Sequence, residues 1–263
     1  MWKAVGAKAK GTAHAASGTP CQDAFAFGSV VFAGEHIFFA AIADGAGSAA
    51  LSHIGSRLVV RTAAGFMRRC VRFGKLPAPG QMLDAAEAAL SAVERAAVKR
   101  DEPVKAFAST LLMAAVSSRG GIFCQIGDGC WVVRRNGGLA AATWPTTGTY
   151  ANETTFLTSA EWRRQLQVEE ITGNIEAFAG FTDGLQSLAL NSSQRSVHST
   201  FLDPLLEVVH ASPNVTALTP ALETYLSSPN INARTDDDKT LIMAVRSNVP
   251  LLVWLSSTVA EDL

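Results

Sequence analysis

The stretch FAGFTDGLQS, residues 178–187, is an apolar, strand-like run that ends abruptly in an Asp-Gly pair at Asp183. The same event occurs twice more, because Asp44 follows the run IFFAAIA and Asp128 follows GIFCQIG, each with a glycine behind it. One such pair is most simply a turn, since Asp bonds to its own backbone and Gly supplies a positive φ. Its recurrence at three strand ends predicts that these acids lie at the rim of a sheet.

The strand-like and helix-like patterns of the chain both come in pairs. Runs 25–33 and 36–43 are separated by a hairpin-length gap, and a meander of four short runs fills 108–143. Helical periodicity covers the region after Asp44, where Leu51, Ile54, Leu58 and Thr62 share one face, and again about 82–99, with further helices at 203–211 and 215–228. Paired elements favour an α+β fold: two antiparallel β-sheets packed as a sandwich and flanked by helix pairs.

The composition indicates a globular protein whose overall charge does not favour a strongly charged partner. The 263 residues are 48% apolar and 17% charged, with a net charge of -1, so we expect neither nucleic acid nor membrane as a partner. No segment resembles a signal peptide, and no apolar run approaches the roughly 20 residues of a membrane span. Four cysteines without CxxC spacing indicate a reduced, cytoplasmic protein. We expect one domain over 1–248, followed by a C-terminal extension, 249–263, of unknown role.

Two further groups of acids precede strands. Asp23 stands before the first paired run, and Asp237 and Asp238 stand directly before the last apolar run, 240–246. Carboxylates that converge at one rim repel each other, and hard divalent cations remove that repulsion. Oxygen ligands suit Mg²⁺ or Mn²⁺, whereas the scattered histidines argue against zinc.

Six motifs in order, none distinctive alone, resemble a known family. They are CQD (21–23), ADGAGSA (43–49), ASTLLMA (108–114), IGDG (126–129), FTDGL (181–185) and DDKT (237–240). Together they resemble the metal-dependent type-2C serine/threonine protein phosphatases, most of all the bacterial branch, from about residue 11 to 246. The resemblance implies an αββα sandwich with a two-metal site at one end, which agrees with the fold predicted from the patterns.

The resemblance also implies roles for individual residues. Carried over by position, the metal ligands would be Asp23, Asp44, Gly45, Asp128, Asp183 and Asp237. Asp44 would bridge two Mn²⁺ or Mg²⁺ ions, Gly45 would offer its carbonyl, and Asp128 would hold a possible third, weaker ion. A hydroxide shared by the two ions would attack phosphorus in line. Catalysis would then depend on Asp44 and Asp183, without a covalent intermediate.

The sequence departs from the family where substrate is held. Many relatives carry an Arg that grips phosphate five residues before the first ligand, and this chain has Gly18 there. Some carry a histidine after the bridging Asp-Gly, and this chain has Ala46. His14 is a candidate for the missing phosphate contact, although an ordinary turn histidine is the simpler interpretation. Asp238 is expected to be a surface acid.

Three functions remain open. The leading hypothesis is a monomeric, Mn²⁺- or Mg²⁺-dependent phosphatase for phosphoserine and phosphothreonine in a protein substrate, paired with a Ser/Thr kinase. The second is a catalytically weak module of the same fold that binds phosphorylated partners or regulates a kinase. The third is a hydrolase of small phosphoesters. Residues 144–174 fall where relatives carry a flap, in which Arg163 and Arg164 could meet an acidic peptide or simply form a solvated helix face.

Overall fold

The computed structural model of the chain describes residues 1–146, 154–247 and 260–261. Two antiparallel sheets pack face to face, and helices cover their outer faces. This α+β sandwich confirms the predicted fold. The expected extension, 249–263, lies outside the described residues except for the backbone of a two-residue strand.

The first sheet joins the beginning of the chain to its late part. Its five strands are β1 (Trp2–Ala9), β6 (Cys130–Arg135), β7 (Gly138–Ala141), β9 (Ala177–Phe181) and β12 (Lys239–Arg246). Their spatial order is β1-β12-β9-β6-β7, so β12 pairs with β1 on one side and with β9 on the other. Beyond the β1–β12 pair, the Ser247 backbone N–H donates to the Met1 carbonyl at 2.7 Å.

The second sheet contains the hairpins of the N-terminal half. Its strands are β2 (Ala24–Phe32), β3 (Glu35–Ala43), β4 (Leu111–Val116), β5 (Gly120–Ile126), β8 (Gln167–Thr172) and β13 (Ala260–Glu261), in the order β13-β2-β3-β4-β5-β8. Every residue of β4 and β5 is buried. These strands are covered on both faces, which explains why they read as continuous apolar runs rather than alternating ones. A separate ribbon pairs β10 (Leu190–Asn191) with β11 (Ser196–Val197).

Helices form the two outer layers. They are α1 (Thr12–Ser17), α2 (Ser52–Val71), α3 (Pro79–Arg100), α4 (Trp162–Gln165), α5 (Gln186–Ala189), α6 (Ser199–Ala211), α7 (Leu218–Leu226) and α8 (Pro229–Asn232). The pair α2 and α3 covers the second sheet, and α6 and α7 cover the first. Aromatic side chains fill the space between the sheets, among them Trp2, Phe38, Phe123, Trp131 and Phe178. Among the described helices, none combines the length and apolarity that crossing a membrane requires.

The sequence patterns missed the first strand and misplaced one helix face. Strand β1 has a weak local signal because Gly6 interrupts it, and a Cβ there would lie 2.8 Å from the rings of Phe25 and Phe27. On α2, the expected stripe through Leu51 and Leu58 is only partly buried. The buried face consists largely of small residues, because the helix lies very close to the backbone of Phe107. A Cβ on Gly55 would fall 2.0 Å from the Phe107 carbonyl oxygen.

Candidate metal centre

Three of the six predicted ligands meet at one end of the sandwich. Asp44 follows β3, Asp128 follows β5, and Asp183 follows β9, so both sheets contribute to this rim. One carboxylate oxygen from each lies within 4.8 Å of the corresponding oxygens of the other two. Strand ends that are 55 to 139 residues apart in sequence therefore place three acids within reach of one cation.

A cavity of about 310 Å³ opens at this rim. Among the residues that line it are His14, Asp44, Gly45, Asp128, Asp183 and Asp237. The structure thus brings together all the predicted site residues except Asp23, which is buried beside the cavity. The cavity is also lined by Gln22, Thr154 and Phe156, none of which was predicted as a site residue.

Three acids of the cavity, Asp44, Asp128 and Asp183, have raised pKa values. Burial, and then the charges of Asp128 and Asp237, raise the pKa of Asp183 to about 8. Burial, and then the charges of Asp23 and Asp183, raise the pKa of Asp44 well above its ordinary value. Within the described chain, one buried oxygen of Asp183 and one of Asp128 have no hydrogen-bond partner. Such a set of bare, mutually repelling carboxylates is chemically suited to a hard divalent cation.

Asp23 is held from below by the first sheet. Its Oδ2 accepts hydrogen bonds from the Thr182 hydroxyl at 2.9 Å and the Thr240 hydroxyl at 2.7 Å. Burial raises its pKa to about 6, although these two bonds act in the opposite direction. Its Oδ1 is buried and has no hydrogen-bond partner among the described residues. One oxygen is therefore fixed, and the other remains free for a ligand.

The backbone around Asp44 is fixed by the neighbouring strand. The Asp44 N–H donates to the Thr110 hydroxyl at 2.9 Å, and the Thr110 N–H donates back to the Asp44 carbonyl at 2.8 Å. The next residue must be glycine, because a Cβ on Gly45 would lie 2.8 Å from the Cβ of Ser52. Thr110, in the motif ASTLLMA, thus fixes the backbone of Asp44.

Two glutamine side chains hold the turn that carries Asp128. Buried Gln125 donates through Nε2 to the carbonyls of Gly127 at 3.0 Å and Gly129 at 2.7 Å, on either side of the acid. Gln186 donates to the carbonyl of Asp128 itself, and the Thr154 hydroxyl donates to its carboxylate. Sequence reasoning missed these residues, because a glutamine three positions before an Asp-Gly gives no local sign that its amide folds back.

The prediction that Asp238 is a surface acid is wrong. Its side chain is 1% exposed, and its carboxylate accepts the backbone N–H groups of Gly11 and Gln22, both at 2.6 Å. It is buried because it is the acceptor for these two backbone N–H groups, one before α1 and one after it. Its neighbour Asp237 is partly exposed and lines the cavity.

Helix α1 explains the unusual residue at position 18. Gly18 ends the helix with φ of 73°, a left-handed conformation that glycine adopts much more readily than an arginine. His14, on the same short helix, lines the cavity, and its Nδ1 lies 3.0 Å from the Asp238 carboxylate. The flap arginines are engaged elsewhere, since Arg163 pairs with Glu87 and Arg164 with Glu161.

Comparisons with known proteins agree with this architecture. The family model described as protein phosphatase 2C matches residues 10–227. A protein of Escherichia coli (strain K12), serine/threonine-protein phosphatase 3, is 35% identical over 253 residues, which cover 93% of this chain and 98% of that protein.

Solved structures share the fold at lower identity. One is PppA, a key regulatory component of T6SS in Pseudomonas aeruginosa, with a TM-score of 0.59, 20% identity, and coverage of 93% of this chain and 97% of that one. Another is the catalytic domain of the phosphatase PstP in complex with two manganese ions, with a TM-score of 0.56, 18% identity, and coverage of 86% and 99%. The chain therefore belongs to the protein phosphatase 2C family, the metal-dependent serine/threonine protein phosphatases that its six motifs resemble.

Proposed function

We propose that this chain hydrolyses phosphoserine and phosphothreonine in proteins with the help of two Mn²⁺ or Mg²⁺ ions held at the acidic rim. The ligands in this proposal are the carboxylates of Asp23, Asp44, Asp183 and Asp237 and the Gly45 carbonyl, with Asp128 serving a third, weaker ion. The observation that carries it is the convergence of the Asp44, Asp128 and Asp183 oxygens within 4.8 Å of one another.

The residues present fit hard cations. The ligand atoms are oxygens, and in the described chain one oxygen each of Asp23, Asp128 and Asp183 is buried without a hydrogen-bond partner. Burial, and then the charges of neighbouring acids, raise the pKa of Asp44 and Asp183. When bound, two such ions supply a hydroxide nucleophile at neutral pH and neutralise charge on the phosphoryl group. Asp44 lies between Asp23 and Asp183, whose charges both raise its pKa, and this supports its assignment as the bridging ligand.

A thiol nucleophile has no support at this rim. Cys21 is near the acids, but burial, and then the charges of Asp23 and Asp238, raise its pKa to about 12. A thiol with this pKa stays protonated at neutral pH and is a poor nucleophile. The proposal therefore keeps direct attack on phosphorus by hydroxide.

His14 takes the place of the arginine that many relatives use for phosphate capture. It lines the cavity, and its Nδ1 lies 3.0 Å from the Asp238 carboxylate. His14→Ala should raise the KM for a phosphopeptide several-fold while kcat changes little. An unchanged KM would assign His14 a purely structural role.

The decisive assay compares two substrates with and without metal. Hydrolysis of a phosphothreonine peptide in Mn²⁺ that stops on chelation supports the protein phosphatase. Hydrolysis of p-nitrophenyl phosphate alone favours a hydrolase of small phosphoesters. The glycine at position 18 favours the remaining alternative, a weak phosphatase-fold module that binds phosphorylated partners, and inactivity on both substrates would support it.

The cellular setting is part of the same proposal. We place the enzyme in the cytoplasm, as a monomer that reverses a Ser/Thr kinase. All four cysteines are free thiols, two of them buried, which fits a reducing compartment. Sedimentation would test the monomer, and co-purification of a kinase with the tagged chain would test the pairing.

A further inference from the structure

Helix α2 belongs to the most one-sided stretch of charge in the chain. Between Asp44 and Asp84 there are six Lys or Arg residues and no Asp or Glu, although acids and bases are nearly equal in the whole sequence, 23 against 22. The net charge of the whole chain is -1, but this stretch alone carries a charge of +6. The excess is local, and such a surface attracts anionic groups at close range.

Four of these arginines form a line on the outer surface of α2. Arg57, Arg61, Arg68 and Arg72 are spaced by 4, 7 and 4 residues, so they lie on one side of a helix of 3.6 residues per turn. All four are exposed, and Arg72 continues the helical backbone directly after the last residue of α2. We call them the arginine stripe; from end to end it spans about 22 Å, at 1.5 Å per residue.

The arginine stripe begins at the end of the molecule that carries the cavity. Helix α2 starts a few residues after Ala46 and Gly47, which line the cavity. The far end of α2 lies at the hairpin between β2 and β3, where a Cβ on Gly74 would lie 3.2 Å from the ring of Phe32. The stripe therefore runs away from the reaction site along the length of the sandwich.

The stripe arginines have no acidic partner, unlike four other arginines of the chain. In the part of the chain that the structure describes, Arg119, Arg134, Arg163 and Arg164 form ion pairs, and none of the stripe residues does. Near Arg57, burial and then the arginine charge lower the pKa of His53, as expected for an uncompensated cation. Four guanidinium groups thus lack an acidic partner within the described chain and can pair with an external one, that of Arg72 while it lies over the Phe73 ring at 4.5 Å.

We propose that the arginine stripe binds an acidic segment of the phosphoprotein substrate, adjacent to the phosphorylated residue. The inference rests on the proposed phosphatase function and names its substrate class. Guanidinium groups pair with carboxylates or further phosphates in a bidentate manner. The stripe matches the length of about six or seven extended residues at roughly 3.3 Å each. A lipid surface fits less well, because the exposed phenylalanines that flank the stripe, Phe32 and Phe73, lie at its far end, away from the cavity.

The test uses phosphothreonine peptides of equal length. In each peptide, six Glu or six Gln stand either before or after the phosphothreonine. The wild-type enzyme should prefer a Glu peptide, and Arg57→Gln/Arg61→Gln should reduce that preference about fivefold, through KM with little change in kcat. Arg68→Gln/Arg72→Gln should have a smaller effect of the same kind. Added salt should abolish the preference in the wild type, since these charges are exposed.

A matched control lies on the neighbouring helix. Arg95 and Lys99 of α3 are exposed and also four residues apart, so Arg95→Gln/Lys99→Gln removes the same charge away from the stripe. This control should leave the preference intact, and all three variants should keep wild-type turnover of p-nitrophenyl phosphate. An equal loss of preference in the control would overturn the proposal.

Binding without chemistry separates this inference from the proposed function. A fluorescent Glu-rich peptide without phosphate should bind the wild type and bind the Arg57/Arg61 variant more weakly, even if no substrate is hydrolysed. Equal KM values for Glu and Gln peptides would overturn the proposed role of the stripe and leave the proposed phosphatase function intact. Cosedimentation with phosphatidylserine vesicles that depends on Arg68 and Arg72, with no peptide preference, also overturns it and assigns the stripe to lipid.

Discussion

Asp237 and Asp238 are neighbours in sequence, yet they belong to opposite kinds of acidic region. The carboxylate of Asp238 accepts the backbone N–H groups of Gly11 and Gln22, and we call this arrangement the anchor. Asp237 instead lines a cavity whose carboxylates face one another. A buried carboxylate with donors stabilises the fold that surrounds it. Buried carboxylates that face one another repel each other, and a bound cation relieves that repulsion. The environment, rather than the residue type, separates a structural acid from a ligand.

The largest test of this contrast is to neutralise the cavity. Asp44→Asn or Asp183→Asn should reduce Mn²⁺-dependent turnover of p-nitrophenyl phosphate by at least about a hundredfold, because the ions lose a ligand. Unfolding measured in chelator should be unaffected or slightly harder, since repulsion is relieved. Wild-type turnover in either variant would refute the assigned site.

The anchor should respond in the opposite way. Asp238→Ala leaves two buried N–H groups without an acceptor and should cost about 3 kcal/mol of unfolding free energy, measured with urea in chelator. The adjacent Asp237→Ala is the control, and it should cost less than about 1 kcal/mol while it removes Mn²⁺-dependent activity. Equal destabilisation by both substitutions would erase the distinction between the two regions.

The turn around Asp128 combines the two regions, because donors hold its backbone while its carboxylate faces the cavity. Gln125→Leu removes the amide that bonds to the carbonyls of Gly127 and Gly129, and should cost about 2 kcal/mol. It should also raise the Mn²⁺ concentration needed for half-maximal activity. Exposed Gln194→Leu provides the control, and Gln125→Leu with an unaltered Mn²⁺ requirement would show that the turn does not position Asp128.

The smallest effect is expected at His36, far from the cavity, whose Nδ1 accepts the Trp2 backbone N–H at 3.1 Å. Burial, and then the charge of the N-terminus, lower its pKa from 6.5 to about 4. Its contribution is therefore full above pH 6.5 and lost as the pH falls towards 4, because the unfolded chain takes up the proton first. His36→Asn keeps an acceptor but does not titrate.

The measurement is the difference in urea midpoint between the wild type and His36→Asn, in chelator, from pH 7.5 to pH 4.5. Comparing the two proteins cancels the contribution of the cavity acids, which titrate in both. The wild type should lose stability relative to the variant as the pH falls. A pH-independent difference would contradict the lowered pKa.

The sequence predicted what depends on local patterns. The runs that became β3, β4 and β5 are long and apolar, and Asp44, Asp128 and Asp183 each stand at a strand end, so both the sandwich and the acids of its rim could be predicted. The anchor could not, because the donors to Asp238 are 227 and 216 residues away. Strand β1 was equally hidden, since its pairing with β12 joins opposite parts of the chain.

The central place of β12 bears on how the protein is made. Strand β12 lies between β1 and β9 and pairs with both, and Asp237 and Asp238 immediately precede it. A growing polypeptide that has not yet released residues 239–246 from the ribosome therefore has two unsatisfied strand edges and an unfinished rim. Catalytic competence should arise late in synthesis and all at once, and nascent fragments that end before this strand are natural clients for chaperones.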